Sequence, residues 1–202
     1  MIQFFLRLKH WQLFIVMLGL PIIYQLYFIF EIFGSRIQPM EVVGEEGVTQ
    51  VLNERYFHFD FLPYVLILFS LVFFGWFWSI AIGLQKNIPV DIEMKVKRFK
   101  AFFIIPLVYT IVFMMFIGGL FSGMFTYGFL NSTWFLVIIL PLHLFSMFCI
   151  FHTIYFVAKT IRTAELQRVV TFGDFAGEFF LLWFYIIGIW IIQPKVNRLN
   201  LE

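Results

Sequence analysis

The sequence predicts an all-α membrane protein, a bundle of four spanning helices followed by a short C-terminal helix that is re-entrant or buried. The composition, the spacing of the charged residues and the distribution of the basic residues predict it. Of the 202 residues, 62% are apolar and 13% are charged, whereas soluble domains carry about 45–50% apolar and about 25% charged residues. A soluble core cannot hide this much apolar surface, so we expect one integral membrane domain, residues 1–202, surrounded by the lipid bilayer.

Stretches without charge locate the spans, because a charged side chain at the middle of a bilayer costs about 2.5–3.5 kcal/mol on insertion scales. Two of these stretches predict spans at about 11–30 and 61–84. Between Lys100 and Lys159 lie 58 residues without Asp, Glu, Lys or Arg, nearly three times the roughly 20 residues of one crossing helix. This stretch must fold back, and its polar segment 127–133 predicts a turn between spans at about 101–124 and 134–158.

The basic residues orient the bundle, because Lys and Arg in short loops are retained on the cytoplasmic side. Ten of them flank the spans on one side, while six acidic residues and only Arg36 and Arg55 lie on the other. The ten are Arg7, Lys9, Lys86, Lys95, Lys97, Arg98, Lys100, Lys159, Arg162 and Arg168. The sequence therefore predicts a cytoplasmic N-terminus.

The segments between the spans give weaker signals. In the outer loop, 31–60, two β-branched runs flank a Gly-Glu-Glu-Gly turn, which predicts either a small hairpin or a helix through 48–55. On the inner side, acidic and basic residues four apart favour a surface helix over 89–100. Thr171 and Asp174 have the spacing of a capping box, which predicts a helix start there.

The last apolar segment has two interpretations. Residues 179–193 carry no charge but number only 15, fewer than a crossing helix needs. A fifth crossing would also place Lys195 and Arg198 outside, against the charge rule. We therefore favour a re-entrant or buried helix over about 175–193 with a cytoplasmic C-terminus, and five spans are the alternative.

Small residues four apart on a spanning helix allow close helix packing. Gly75, Ser79 and Gly83 form such a stripe on the second predicted span, and Gly119 with Gly123 forms a GxxxG on the third. These are the predicted helix-packing positions, within one chain or between chains.

Polar groups inside a bilayer are candidates for function. His143, Cys149 and His152 lie on the fourth predicted span, but His143 and His152 point to opposite helix faces, and Cys149 with His152 supplies only two ligands. We predict no metal and no other cofactor, and keep these three residues as weak candidates. Asp174 and Glu178 could form a carboxylate pair, although acids in a first helical turn also complement the helix dipole.

Three short strings stand out, namely residues 10–14, His-Trp-Gln-Leu-Phe, residues 83–86, Gly-Leu-Gln-Lys, and the closing segment 179–197. Together they resemble a family of small uncharacterised bacterial inner-membrane proteins. The resemblance implies a multi-pass protein of the bacterial inner membrane and carries no activity, so it assigns no functional residue.

Three functions compete. Because catalytic, nucleotide-binding and nucleic-acid-binding patterns are absent from the sequence, we expect a non-catalytic protein that assembles with itself or with another membrane protein. Proline-interrupted spans leave a subunit of an oligomeric channel or transporter as the first alternative. A membrane metal-binding protein is the second.

Overall fold

A computed structural model gives the fold and describes residues 2–37, 61–121 and 133–201. Regular structure in these ranges is helical, which confirms the predicted all-α class. The helices are α1 (Ile2–Arg7), α2 (His10–Phe14), a π-helical stretch (Ile15–Gly19), α3 (Leu20–Ile37), α4 (Leu62–Gly83), a 3₁₀ turn (Leu84–Asn87), α5 (Val96–Phe121), α6 (Thr133–Leu166), α7 (Phe172–Trp183) and α8 (Tyr185–Leu201).

Four of the described stretches are long and apolar enough to cross a membrane, namely His10–Phe30, Leu62–Asn87, Val96–Gly119 and Val137–Leu166. Each contains about 20 or more residues, which is the length a helix needs to cross the hydrocarbon core. The chain therefore has the architecture of a multi-pass membrane protein.

Helix α4 lies at the centre of the bundle. In the most apolar 18-residue stretch of this span 44% of the residues are buried, whereas 11–22% are buried in the corresponding stretches of the other three spans. Trp76 and Phe77 of α4 are fully buried, as is Phe99 at the start of α5. Since α4 is apolar all round, it is stable only where other helices or lipid cover every face.

The ends of α4, α6 and α8 converge at one end of the bundle. Gln167 Nε2 donates to the Asn87 carbonyl (2.7 Å), Asn87 Nδ2 donates to the Leu199 carbonyl (2.7 Å), and Lys86 Nζ donates to the Asn200 carbonyl (3.2 Å). Because α1 also packs beside Gly83, the first and last helices meet at this end. We call it the basic end, after the lysines and arginines that flank it.

Helices α7 and α8 form a helical hairpin, residues 172–201, that we call the C-terminal hairpin. It leaves the basic end after α6, and its corner contacts α6 and α4 away from that end. There the Trp183 ring is 4.6 Å from the Phe151 ring of α6, and the Tyr185 ring is 5.3 Å from the Phe73 ring of α4. Phe73 lies about 15 Å along α4 from Gly83, at 1.5 Å per residue, and α8 then returns to the basic end.

The C-terminal segment differs from its prediction in both number and length of helices. The single helix expected over 175–193 is two helices in the structure, separated at Phe184. Helix α8 also continues through Pro194 to Leu201. A proline inside a helix removes one hydrogen bond and strains the preceding turn, and the contacts of α8 at the basic end outweigh that cost. Helix α8 returns to the basic end, and neither α7 nor α8 is among the four described stretches long and apolar enough to cross a membrane.

The surface helix expected over 89–100 is wrong in its first half. Residues 89–92 form a turn, closed by the Ile92 amide donating to the Pro89 carbonyl (3.0 Å), residues 93–95 have no regular structure, and α5 begins only at Val96. Exposed pairs of opposite charge four residues apart contribute about 0.2–0.5 kcal/mol each. That is too little to order a helical turn against its loss of conformational entropy.

The predicted cap at Thr171 is confirmed. Asp174 accepts hydrogen bonds from the Thr171 amide (2.8 Å) and hydroxyl (2.9 Å) and pairs with Arg168 (2.8 Å). The Arg168 guanidinium, followed by the two Thr171 donors, holds the pKa of the Asp174 carboxyl well below its usual range. A carboxylate with a lowered pKa contributes stability above its unfolded pKa and loses it as the pH falls through the folded value, so this cap keeps its charge at neutral pH.

Several predictions lie outside the described residues. They are the hairpin or helix of the outer loop over 38–60, most of the turn at 127–133, and Gly123.

Candidate functional site

The small-residue stripe on α4 faces the short N-terminal helix α1. A Cβ added at Gly75 would lie 3.0 Å from Phe5 Cε2, and one added at Gly83 would lie 2.5 Å from Leu6 Cδ1. Ser79 is fully buried and donates to the Gly75 carbonyl of its own helix (2.7 Å). The stripe is therefore occupied within the chain, by side chains of α1.

The predicted packing position Gly119 lies next to a second glycine, Gly118, which packs against α4. Gly119 is half-buried, and the preceding residue, Gly118, makes the close approach between α5 and α4. A Cβ at Gly118 would lie 2.9 Å from Pro63 Cγ.

Replacing Gly83 with leucine is expected to displace α1 and lower the free energy of unfolding by about 1–3 kcal/mol, the usual cost of overpacking. Thermal unfolding in detergent measures the effect. Gly173→Leu is the matched control, because nothing lies within 4 Å of a Cβ at Gly173. Equal losses at the two positions would contradict the packing role of Gly83.

Gln193 of α8 lies at the centre of a buried polar junction that the sequence analysis missed. It is fully buried, and its Oε1 accepts a hydrogen bond from Trp76 Nε1 (2.8 Å). Its Nε2 lies within hydrogen-bond distance of the Phe5 carbonyl (2.9 Å), the Leu8 carbonyl (2.8 Å) and Asn197 Oδ1 (2.9 Å). We call these groups the Gln193 junction.

The junction caps the C-terminal end of α1. The last carbonyls of a helix have no partner within it, and here the Phe5 and Leu8 carbonyls accept from Gln193. Asn197 Nδ2 also donates to the Leu8 carbonyl (3.0 Å). The junction therefore joins α1, α4 and α8 through one amide side chain.

A second polar group, the charge cluster, attaches the C-terminal hairpin to α6. Lys195 Nζ of α8 lies 2.7 Å from Glu165 Oε2 of α6 and 2.7 Å from Glu178 Oε1 of α7. Arg162 pairs with Glu165 and lies 3.9 Å from Glu178. Two carboxylates and two cations balance, so the cluster is neutral as a unit.

The predicted carboxylate pair is not assembled. Asp174 is engaged by Arg168 and Thr171, while Glu178 lies in the charge cluster and shares Lys195 with Glu165. The side chain of Glu178 is 11% exposed and that of Lys195 is 22% exposed. Both carboxylates of the cluster are held by cations, an arrangement suited to holding helices together.

Replacing Lys195 with methionine is expected to lower the free energy of unfolding by about 1–3 kcal/mol, because two carboxylates then lie together with only Arg162 to balance them. The charges are partly exposed, so the cost falls below that of a fully buried pair. Equilibrium unfolding in detergent measures it. Adding Glu178→Gln to Lys195→Met should recover part of the loss, and Arg198→Met, at an exposed position of α8, should change little. A loss that Glu178→Gln does not reduce would contradict an electrostatic role.

The three metal candidates on α6 are not brought together as a ligand set. No group of three or more His, Cys, Asp or Glu side chains suited to a metal occurs in the described ranges. Cys149 is fully buried, and the His152 ring stacks on Phe102 at 4.5 Å with its Nδ1 buried and unpartnered. His143 lies elsewhere and bonds to a tyrosine.

His143 pairs with Tyr109 of α5 on the membrane-facing surface. The Tyr109 Oη and His143 Nδ1 atoms are 3.0 Å apart, and Tyr109 stacks on Phe113 at 5.6 Å. His143 is exposed and Tyr109 is half-buried. The sequence analysis weighed His143 only as a ligand, because the tyrosine lies 34 residues away on another helix.

A shallow groove of about 220 Å³ lies between α3 and α4. Its lining is largely apolar and consists of Pro21, Tyr24, Gln25, Phe28, Leu62, Val65 and Leu66. These side chains offer a lipid chain an apolar surface and supply no catalytic group.

Comparison of the chain with protein-family models, curated proteins and solved structures found no match. The resemblance to a bacterial membrane-protein family therefore stays a prediction. What the fold defines is a class, a multi-pass membrane protein built as an all-α bundle with a C-terminal helical hairpin.

Proposed function

We propose that this chain is a non-catalytic multi-pass protein of the bacterial inner membrane that acts by assembling with itself or with another membrane protein. The observation that carries this proposal is that polar side chains inside the bundle join its helices to one another. In the described ranges, the Gln193 junction and the charge cluster bind helices to one another.

The location of the small residues supports the same view. The α4 stripe is occupied by α1 within the chain, so assembly has to use the outer, membrane-facing surface of the bundle. On that surface the Tyr109–His143 pair is a polar group among apolar side chains. Polar groups in this position favour helix association, because lipid offers them no partner.

The orientation belongs to the proposal as well. We place the basic end in the cytoplasm, because the positive-inside rule retains Lys and Arg there. Both the N-terminus and the C-terminus then lie on the cytoplasmic side, since α1 and α8 meet at that end.

Native mass spectrometry of the protein released gently from its membrane tests the proposal. We expect an oligomer, or a stable complex with a second membrane protein. A monomer without a partner, both after extraction and after cross-linking in the membrane, would overturn it. Ion flux through liposomes that contain the pure protein would favour the channel alternative, and stoichiometric bound metal would favour the metal-binding alternative.

A further inference from the structure

We propose that the Tyr109–His143 pair is the centre of an interface between two copies of this chain, formed across a two-fold axis by α5 and α6 within the membrane. This inference rests on the proposed assembly function and names its partner and its surface. The starting point is the location of the pair on the membrane-facing side of the bundle.

The pair has hydrogen-bonding capacity left over. Tyr109 lies near the middle of the span Val96–Gly119, so the ring of the exposed His143 faces hydrocarbon. One ring nitrogen, Nδ1, is engaged by Tyr109, and Nε2 has no partner in the described part of the chain. An unpaired polar group in hydrocarbon costs several kcal/mol, which favours a partner that the single chain lacks.

The pair is complementary to a copy of itself. If the tyrosine hydroxyl donates to Nδ1, then Nε2–H is a free donor and Oη is a free acceptor. If Nδ1–H donates instead, then Nε2 is the free acceptor and the hydroxyl is the free donor. In either tautomer the pair offers one donor and one acceptor, so two pairs related by a two-fold axis satisfy each other. A two-fold interface uses the same patch on both subunits.

The surrounding surface fits a helix–helix contact. Leu140, Leu144 and Met147 form a stripe on α6 beside His143 and are 57%, 58% and 42% exposed. Their spacing of three and four residues is the pattern that packs one helix against a second helix. These apolar side chains would flank the reciprocal hydrogen bonds on α6 of both copies.

Disulfide cross-linking in native membranes tests the interface. Single cysteines at Leu140, Leu144 and Met147, each introduced into a full-length Cys149→Ser background, are oxidised with copper phenanthroline. We expect a covalent dimer from at least one of these positions and none from Ile23→Cys, a control on α3 that is 66% exposed.

Removing the hydrogen bonds gives the second arm. His143→Leu and Tyr109→Phe should each weaken dimerisation about tenfold, since two symmetry-related hydrogen bonds are lost at about 0.6 kcal/mol or more each. Each change also removes the hydrogen bond between α5 and α6 of one chain, so a helical circular dichroism spectrum like that of the unaltered protein is the control for folding.

Three outcomes would overturn the interface. A dimer that cross-links through Ile23→Cys, or that is insensitive to His143→Leu, shows assembly through another surface and leaves the proposed function standing. A monomer that loses a co-purifying lipid-soluble molecule on His143→Leu identifies a ligand site instead. A monomer with neither partner nor ligand overturns the interface and the proposed function together.

Discussion

Replacing Gly188 with alanine is expected to open the corner of the C-terminal hairpin and to lower the free energy of unfolding by about 3 kcal/mol or more. The reason is a backbone contact. A Cβ at Gly188 would lie 1.8 Å from the Leu181 carbonyl oxygen and 2.6 Å from its carbon. These atoms belong to the main chain of α7, so no side-chain rotation relieves the clash, and overpacking of this kind costs at the upper end of its range.

The corner needs this glycine because the reversal is so short. Phe184 alone separates α7 from α8, and its carbonyl accepts hydrogen bonds from the Ile187 amide (3.0 Å) and the Gly188 amide (2.9 Å). The first turn of α8 therefore lies directly against the last turn of α7. Alanine at 188 has to push the two helices apart.

Gly177→Ala is the matched control, because Gly177 lies on α7 with nothing within 4 Å of an added Cβ. That change is expected to stabilise by about 0.5–1 kcal/mol through helix propensity. Equilibrium unfolding in detergent, followed by circular dichroism, compares the two variants. Equal shifts in the same direction would show that the corner tolerates a side chain.

The second large effect is expected at the Gln193 junction, where Gln193→Leu should cost about 2–4 kcal/mol. Leucine leaves the indole N–H of Trp76 buried without an acceptor, and it uncaps the Phe5 carbonyl at the end of α1. An orphaned buried polar group costs about 1–3 kcal/mol. Gln25→Leu, at an exposed position of α3, makes the same chemical change where no buried bond is lost.

A double variant separates the orphaned donor from the loss of packing. Trp76→Phe with Gln193→Leu removes the donor as well as the acceptor, and the pair should cost less than the sum of the two single changes by about 0.5–3 kcal/mol. The cycle is measured by denaturant unfolding of all four proteins. Strict additivity would mean that the Trp76–Gln193 hydrogen bond contributes nothing.

The spans and the class of the fold could be predicted because charged side chains are costly in the hydrocarbon core of a bilayer. A stretch of 58 residues without charge is too long for one crossing helix and has room for two. The small-residue stripe could also be predicted, since small residues four apart allow close helix packing. The helix that packs against the stripe could not be predicted, because α1 has only 6 residues and its sequence resembles the flank of the first span.

The corner and the polar contacts could not be predicted for different reasons. Phe184 lies in an apolar run with no proline beside it, so no local signal marks the reversal. In the sequence Gln193 is only the end of an apolar stretch, and its role in joining helices depends on a hydrogen bond with Trp76, 117 residues away. The partner of Lys195 was missed in the same way, since Glu165 lies on another helix.

The Gln193 junction also orders events during synthesis. Its hydrogen bond to the Phe5 carbonyl joins residues 188 positions apart, so α1 is capped by a segment that is synthesised 188 residues later. At about 5–20 residues per second, α1 waits roughly 10–40 s for its cap. A chain that stops before residue 193 lacks this donor, so the Phe5 and Leu8 carbonyls at the end of α1 are left without the Gln193 hydrogen bonds.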